Sequence, residues 1–213
     1  MTTEGRGRRG PYAKTEGRRA EIAAACLALV IERGHPEVTV PDVADRAGVT
    51  EATVTYHFPT KDHLFIAALE QADVDDLPNE DVGSLADVSG YLESVIHAPA
   101  SHPNRLRLFS LEMGNATDPD HPAHAWFVER SRTVREAFAD MLQLLQRRGE
   151  AHPDVDPQRF ARQLTATWDG LQIQWLSDPD FTLATEVIET FHALARTDLM
   201  AARRAIAKLA AEL

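Results

Sequence analysis

A single cysteine, Cys26, stands in a chain of 213 residues. That excludes an internal disulfide framework and fits a reducing, cytoplasmic setting. Cys26 lies inside the apolar run 22–31 and reads as a small buried hydrophobe. No apolar stretch reaches the roughly 18 residues that a membrane span needs. The run 22–31 follows basic residues, as a secretory leader would. Its preceding segment is long and holds Glu16 and Glu21, however, and no small-residue cleavage site follows, so a leader is not expected. No segment alternates as a strand, and no repeat of 20–50 residues is evident. There is no nucleophile–base signature and no phosphate-cradling glycine loop, so neither catalysis nor a cofactor is expected. His121 and His124 flank Pro122, with His102 upstream; this spacing reads as loop chemistry, and no metal is expected.

What is present is helical and unevenly charged. Hydrophobic residues make up 44% and charged residues 26%, a soluble globular balance. The net charge of −11 argues at first against a DNA-binding protein. Its distribution removes the objection. Residues 1–61 carry nine basic and eight acidic side chains, for a net +1, so the remainder carries −12. Six of those basic residues fall within the first twenty positions, where a flexible arm over 1–14 can meet phosphates or a minor groove.

Residues 39–64, TVPDVADRAGVTEATVTYHFPTKDHL, predict two short helices joined by a tight turn. Thr39 can cap the first helix with Asp42 three residues on. Pro41 sits in the first turn, where its missing N–H costs little. Gly48 can take the positive φ that reverses the chain. Thr50 can cap the second helix, 51–58, and Pro59 stops it. Thr60 can cap a third. A helix-turn-helix places its second helix in the major groove. Val49, Val54 and Phe58 should face the head's own core.

The remaining pattern predicts helices over about 15–34, 41–47, 51–58, 61–75, 84–98, 103–116, 122–149, 157–177 and 181–211, with Pro-, Gly- or Asp-rich breaks between them. In 157–177, Phe160, Leu164, Trp168, Leu171 and Trp175 recur at helical spacing. Gly170 lies among them, at a helix-interior cost of about 1 kcal/mol relative to Ala; a close helix–helix approach would account for it. The last segment repeats the theme with Val187 and Phe191. Two such apolar helices suit a symmetric dimer, and Leu164, Leu171, Trp175, Val187 and Phe191 are its candidate interface.

The head resembles the TetR family of bacterial transcriptional regulators. The likeness rests on the opening helix from Arg19 to Gly34, on Thr39–Ala44, on Ala47-Gly48-Val49-Thr50, and on Tyr56-His57-Phe58-Pro59-Thr60-Lys61. It implies an all-α fold with about nine helices: a DNA-binding helix-turn-helix domain over 15–61, then a ligand-binding and dimerisation domain over 62–213. It also implies a repressor released from a palindromic operator by a small-molecule effector. The DNA-contact candidates are Arg18, Thr39, Thr50, Glu51, Ala52, Thr53, Thr55, Tyr56, His57 and Lys61. Glu51 can accept from a cytosine amino group, and Ala52 and Thr53 can meet a thymine methyl. The family commonly carries a contacting Tyr where this chain has Thr55. The pocket candidates are Leu106, Phe109, Met113, Trp126, Arg130, Trp168 and Gln172. Arg130, a basic group on an apolar wall, would suit an acidic ligand.

Overall fold

In the computed structural model, residues 11–76 and 85–211 are described. Ten α-helices are found there and no strand. They are α1 (Pro11–Arg33), α2 (Val40–Ala47), α3 (Glu51–His57), α4 (Lys61–Asp76), α5 (Val88–Ala100), α6 (Pro103–Asn115), α7 (Ala123–Arg147), α8 (Pro157–Ser177), α9 (Leu183–Ala195) and α10 (Thr197–Ala211), with a 3-10 turn at His35–Glu37. The chain divides between Asp75 and Asp76 into two compact units. Helix α4 therefore belongs with the head, whereas the expected boundary at 61/62 assigns it to the second domain. The reason is packing: Leu64, Phe65, Ile66, Ala68 and Leu69 of α4 are buried.

Two further expectations change. Residues 11–14 of the supposed arm are the first turn of α1; positions 1–10 lie outside the described residues. The expected single helix 181–211 is two helices, broken at Arg196 in the left-handed region (φ 55°, ψ 42°). Arg196 ends α9 by donating its backbone N–H to the carbonyl oxygens of Ala193 and His192. No glycine or proline marks this break, and a non-glycine residue there costs on the order of 1 kcal/mol.

The first unit is held by local chemistry. Thr39 and Asp42 form a reciprocal capping box on α2. Gly48 adopts φ 65°, and its N–H closes α2 on the carbonyls of Ala44 and Asp45. Thr50 accepts from the Thr53 N–H to start α3. Arg46 forks onto Glu32 at 2.6 and 2.8 Å, tying α2 to α1. Ile22, Cys26, Leu29, Val43, Val54 and Phe58 fill the small core.

The second unit packs α7 against α8 and α8 against α9, with α5 and α6 alongside. Its core includes Leu92, Ile96, Leu106, Phe138, Met141, Leu142, Phe160, Leu164, Val187 and Phe191. The Phe160 and Phe191 rings meet edge to face at 5.3 Å between centroids, a favoured aromatic geometry. Asp156 caps α8 through the Arg159 N–H at 2.7 Å. The Gln146 amide spans the preceding loop, donating to the carbonyls of His152 and Val155 at 3.0 and 2.9 Å. Among the described residues, no helix is long and apolar enough to cross a membrane.

Candidate nucleic-acid interface and effector region

Helix α3 sorts its residues sharply. Val54 and Phe58 are buried and Val49 is half-buried, while Thr50, Glu51, Ala52, Thr55 and Tyr56 are exposed. The exposed side presents a row of small, hydroxyl and acidic side chains whose end is Tyr56, 81% exposed. Thr53 is half-buried, and its hydroxyl shares a 2.9 Å hydrogen bond with that of Thr50. The Thr55 hydroxyl donates back to the Glu51 carbonyl at 3.0 Å, so its proton is already engaged within the helix. The aromatic ring free to reach outward is therefore that of Tyr56, stacked edge-on against His57 at 5.3 Å.

The flanking cations differ in availability. Lys61 is exposed, with its ammonium 5.1 Å from the Phe65 ring. Arg18 is already paired with Glu21 at 2.6 Å. Thr39 is exposed, but its hydroxyl and N–H are both used by Asp42. One residue outside the candidate set does structural work on the reading helix. Arg19 donates to the His57 carbonyl at 3.1 Å and lays its guanidinium 4.4 Å from the Phe58 ring. It thus satisfies a carbonyl left open at the end of α3 and pins that end to α1. Glu70 on α4 faces the same guanidinium electrostatically; burial pushes its carboxyl up, against the pull of Arg19. The sequence pattern alone does not distinguish Arg19 from Arg18, because the distinction depends on the 38-residue separation that folding closes.

Cys26 is sealed in this head. Burial pushes its thiol up to about 12, with Lys61 pulling weakly the other way. A thiolate is the reactive form, so at neutral pH this cysteine is inert.

The pocket candidates separate into core and wall. Leu106 is buried in the second unit's own core. Phe109, Met113, Trp126, Arg130 and Trp168 are half-buried, and Gln172 is buried. Phe109, Trp126 and Phe127 cluster with centroids 5.7–6.5 Å apart. The Arg130 guanidinium covers this cluster, 4.7 Å from the Phe109 ring and 5.9 Å from that of Trp126. Asp169, on α8 and unforeseen from the sequence, faces Arg130 electrostatically; burial pushes its carboxyl up to about 6, with Arg130 pulling it down. Buried Glu112 and Arg105 on α6 were likewise unforeseen. The loop histidines are occupied locally. His124 bonds the Ala116 carbonyl at 2.8 Å, and His121 accepts from the Ala123 N–H at 3.2 Å.

Three of the five candidate dimer residues need correction. Leu164, Val187 and Phe191 are fully covered by the chain's own core, so they cannot also be a surface for a second copy. Leu171 and Trp175 are half-buried against the same core. The exposed positions of α8 include Arg162, Gln163, Ala166, Ile173, Gln174 and Ser177, with Gly170 half-buried among them, and Ile173 is 48% exposed. A Cβ on Gly170 would meet nothing within 4 Å. The close approach expected at this glycine is therefore not made by the described residues of its own chain.

Two family models match this arrangement. The model of bacterial regulatory proteins of the tetR family covers residues 22–68, and that of the BetI-type transcriptional repressor C-terminal region covers residues 86–210. The chain belongs to the TetR family of bacterial transcriptional regulators. Among its relatives is the transcriptional regulator RutR of Escherichia coli K12, 30% identical over 113 residues. That match covers 47% of this chain and 53% of RutR, so the chain spans about half the length of this relative. The repressor KstR2 of Mycobacterium tuberculosis H37Rv is 23% identical over 171 residues, covering 76% and 82%. A regulator from Saccharomonospora viridis, solved in complex with choline, shares the fold with a TM-score of 0.63 at 22% identity, covering 84% of this chain and 95% of that one.

Proposed function

We propose that this TetR-family chain is a repressor that binds a palindromic operator as a homodimer in the cytoplasm and is released by a small-molecule effector. The observation that carries the reading is the two-sidedness of α3. Its apolar residues Val54 and Phe58 are spent on the head's core, which leaves Thr50, Glu51, Ala52, Tyr56 and the neighbouring Lys61 facing outward. A seven-residue helix held by caps at its start and by Arg19 at its end is a rigid probe of groove dimensions. Lys61 and the Tyr56 hydroxyl are suited to phosphates, whereas Glu51, Ala52 and Thr53 lie near the helix start, where base edges are read. His57, half-buried beside Tyr56, and exposed Thr39 flank this row as backbone contacts.

Dimerisation is proposed through the outward face of α8, where Gly170 and Ala166 admit close approach and Ile173 supplies apolar area. Two heads must then sit about 34–36 Å apart to enter successive major grooves. An effector that binds better to a dimer of different spacing lowers operator affinity by that difference.

Selection of bound fragments from genomic DNA at low salt tests the reading. Recovery of a palindromic motif is expected; recovery of random fragments alone overturns it. On the recovered site, Thr53→Ala should shift base preference, while Lys61→Ala should weaken specific and random DNA alike.

A further inference from the structure

Helix α10 carries an apolar stripe that its own chain does not cover. From Leu199 to Ala211 every residue except Met200 is exposed. The helix is nevertheless held in place. The Thr197 hydroxyl shares a 2.9 Å hydrogen bond with His192 Nδ1, Met200 is buried, and Arg204 donates to the Gly149 carbonyl. Met200 and Arg204 lie one turn apart, so they mark the side of α10 that faces its own unit. The opposite side holds Leu199, Ala202, Ile206 and Leu209, at intervals of three, four and three. Leu199, Ile206 and Leu209 are 55%, 68% and 64% exposed. Leu199, Ala202 and Ile206 also border an open groove of about 290 Å³, together with Met200, Arg203 and His152.

The spacing says what covers the stripe. A strict three–four alternation is the seam of a coiled coil, narrower than the apolar face of a helix lying on lipid. A chain of net charge −11 is also repelled by an anionic surface. Leu199 and Ile206 take the first core position of two successive heptads, and Ala202 and Leu209 take the second. Isoleucine in the first position with leucine in the second favours two parallel strands.

The flanking charges select the partner. Asp198 precedes the seam and Arg203 follows five residues later. In a parallel pair these are the two flanking positions that meet across the seam. Asp198 of one copy then faces Arg203 of the other, twice by symmetry. In an antiparallel pair Arg203 would face Arg203. Both side chains are exposed, and neither makes a hydrogen bond or ion pair with another described residue. The other cations, Arg204 and Lys208, lie off the seam.

We infer that α10 pairs in parallel with α10 of a second copy, as a short two-stranded coil closed by reciprocal Asp198–Arg203 contacts. The inference rests on the homodimer reading. Two heptads are too short to hold two copies alone; once α8 brings the copies together, the high effective concentration lets the seam close. The seam then adds discrimination, because a chain without this charge pattern leaves Asp198 and Arg203 unmatched.

Sedimentation equilibrium of the full chain reads the dimer dissociation constant. Ile206→Asp should raise it about tenfold by putting two carboxylates in the seam. A thermal melt should be unchanged, since this side chain is exposed. Asp198→Arg and Arg203→Asp each place like charges together, and each should raise the constant about fivefold. An equimolar mixture of these two variants restores opposite charges at both contacts, so its constant should return to within about twofold of wild type. A purely structural role for either residue does not produce that rescue. Unchanged constants in all three variants, or a mixture no tighter than its components, would overturn the inference. So would pelleting of the wild type with vesicles of equal parts phosphatidylserine and phosphatidylcholine that Ile206→Asp abolishes, which assigns the stripe to lipid. A wild type that stays monomeric at every concentration removes the homodimer reading as well. A wild-type dimer indifferent to all three substitutions removes the inference alone.

Discussion

At the scale of single residues, the sharpest consequences attach to Arg19 and Asp169. Arg19 supplies a carbonyl hydrogen bond and a ring contact to the end of α3. Arg19→Ala should lower operator affinity by about 1–2 kcal/mol, since each contact is worth on the order of 1 kcal/mol. Arg19→Lys should restore less than half, because lysine keeps the charge but lacks the planar group. Fluorescence anisotropy on the selected operator measures both. Asp169 has a folded-state pKa raised to about 6 from an ordinary 3.8. The stability held by its protonated form is complete below about pH 4 and is lost as pH rises through about 6. Wild type should therefore lose on the order of 1 kcal/mol relative to Asp169→Asn between pH 4 and pH 7. Parallel denaturant titrations across that range detect it; equal pH profiles for the two proteins would refute the assignment.

At the scale of elements, the two faces of α8 differ in burial. Leu164 is completely buried among Phe160, Val187 and Phe191, so Leu164→Ala should cost about 2–5 kcal/mol of unfolding free energy. Ile173→Asp should leave the fold near wild-type stability and instead separate the copies, read by sedimentation equilibrium. The sequence exposes the head in detail because turn and cap chemistry is local: Thr39, Gly48, Thr50 and Pro59 announce each boundary within a few positions. It puts the buried Leu164, Val187 and Phe191 on a candidate dimer face because periodicity identifies an apolar stripe without saying whether the same chain or a second copy covers it. The break at Arg196 escapes notice for a related reason, since no glycine, asparagine or proline stands there. Asp169 escapes because a search for apolar walls passes over a carboxylate within them.

At the scale of the whole molecule, charge is divided unevenly along the chain, with a net +1 over residues 1–61 and −12 over the rest. The acidic remainder should be repelled by the duplex, leaving the head as the attractive surface. Operator affinity should fall steeply with salt, and Lys61→Ala should flatten the slope of log affinity against log salt by about one; an unchanged slope would mean that Lys61 touches no phosphate. The sealed Cys26 has a practical consequence at this scale. With its only native thiol closed to reagents, the chain needs no cysteine removed before a new one is introduced. A cysteine placed at the exposed Glu37 of the head would be the sole modifiable position, one per copy. Paired spin labels or dyes would then report the distance between the two heads directly, with and without operator DNA, as a ruler built on the unaltered native background.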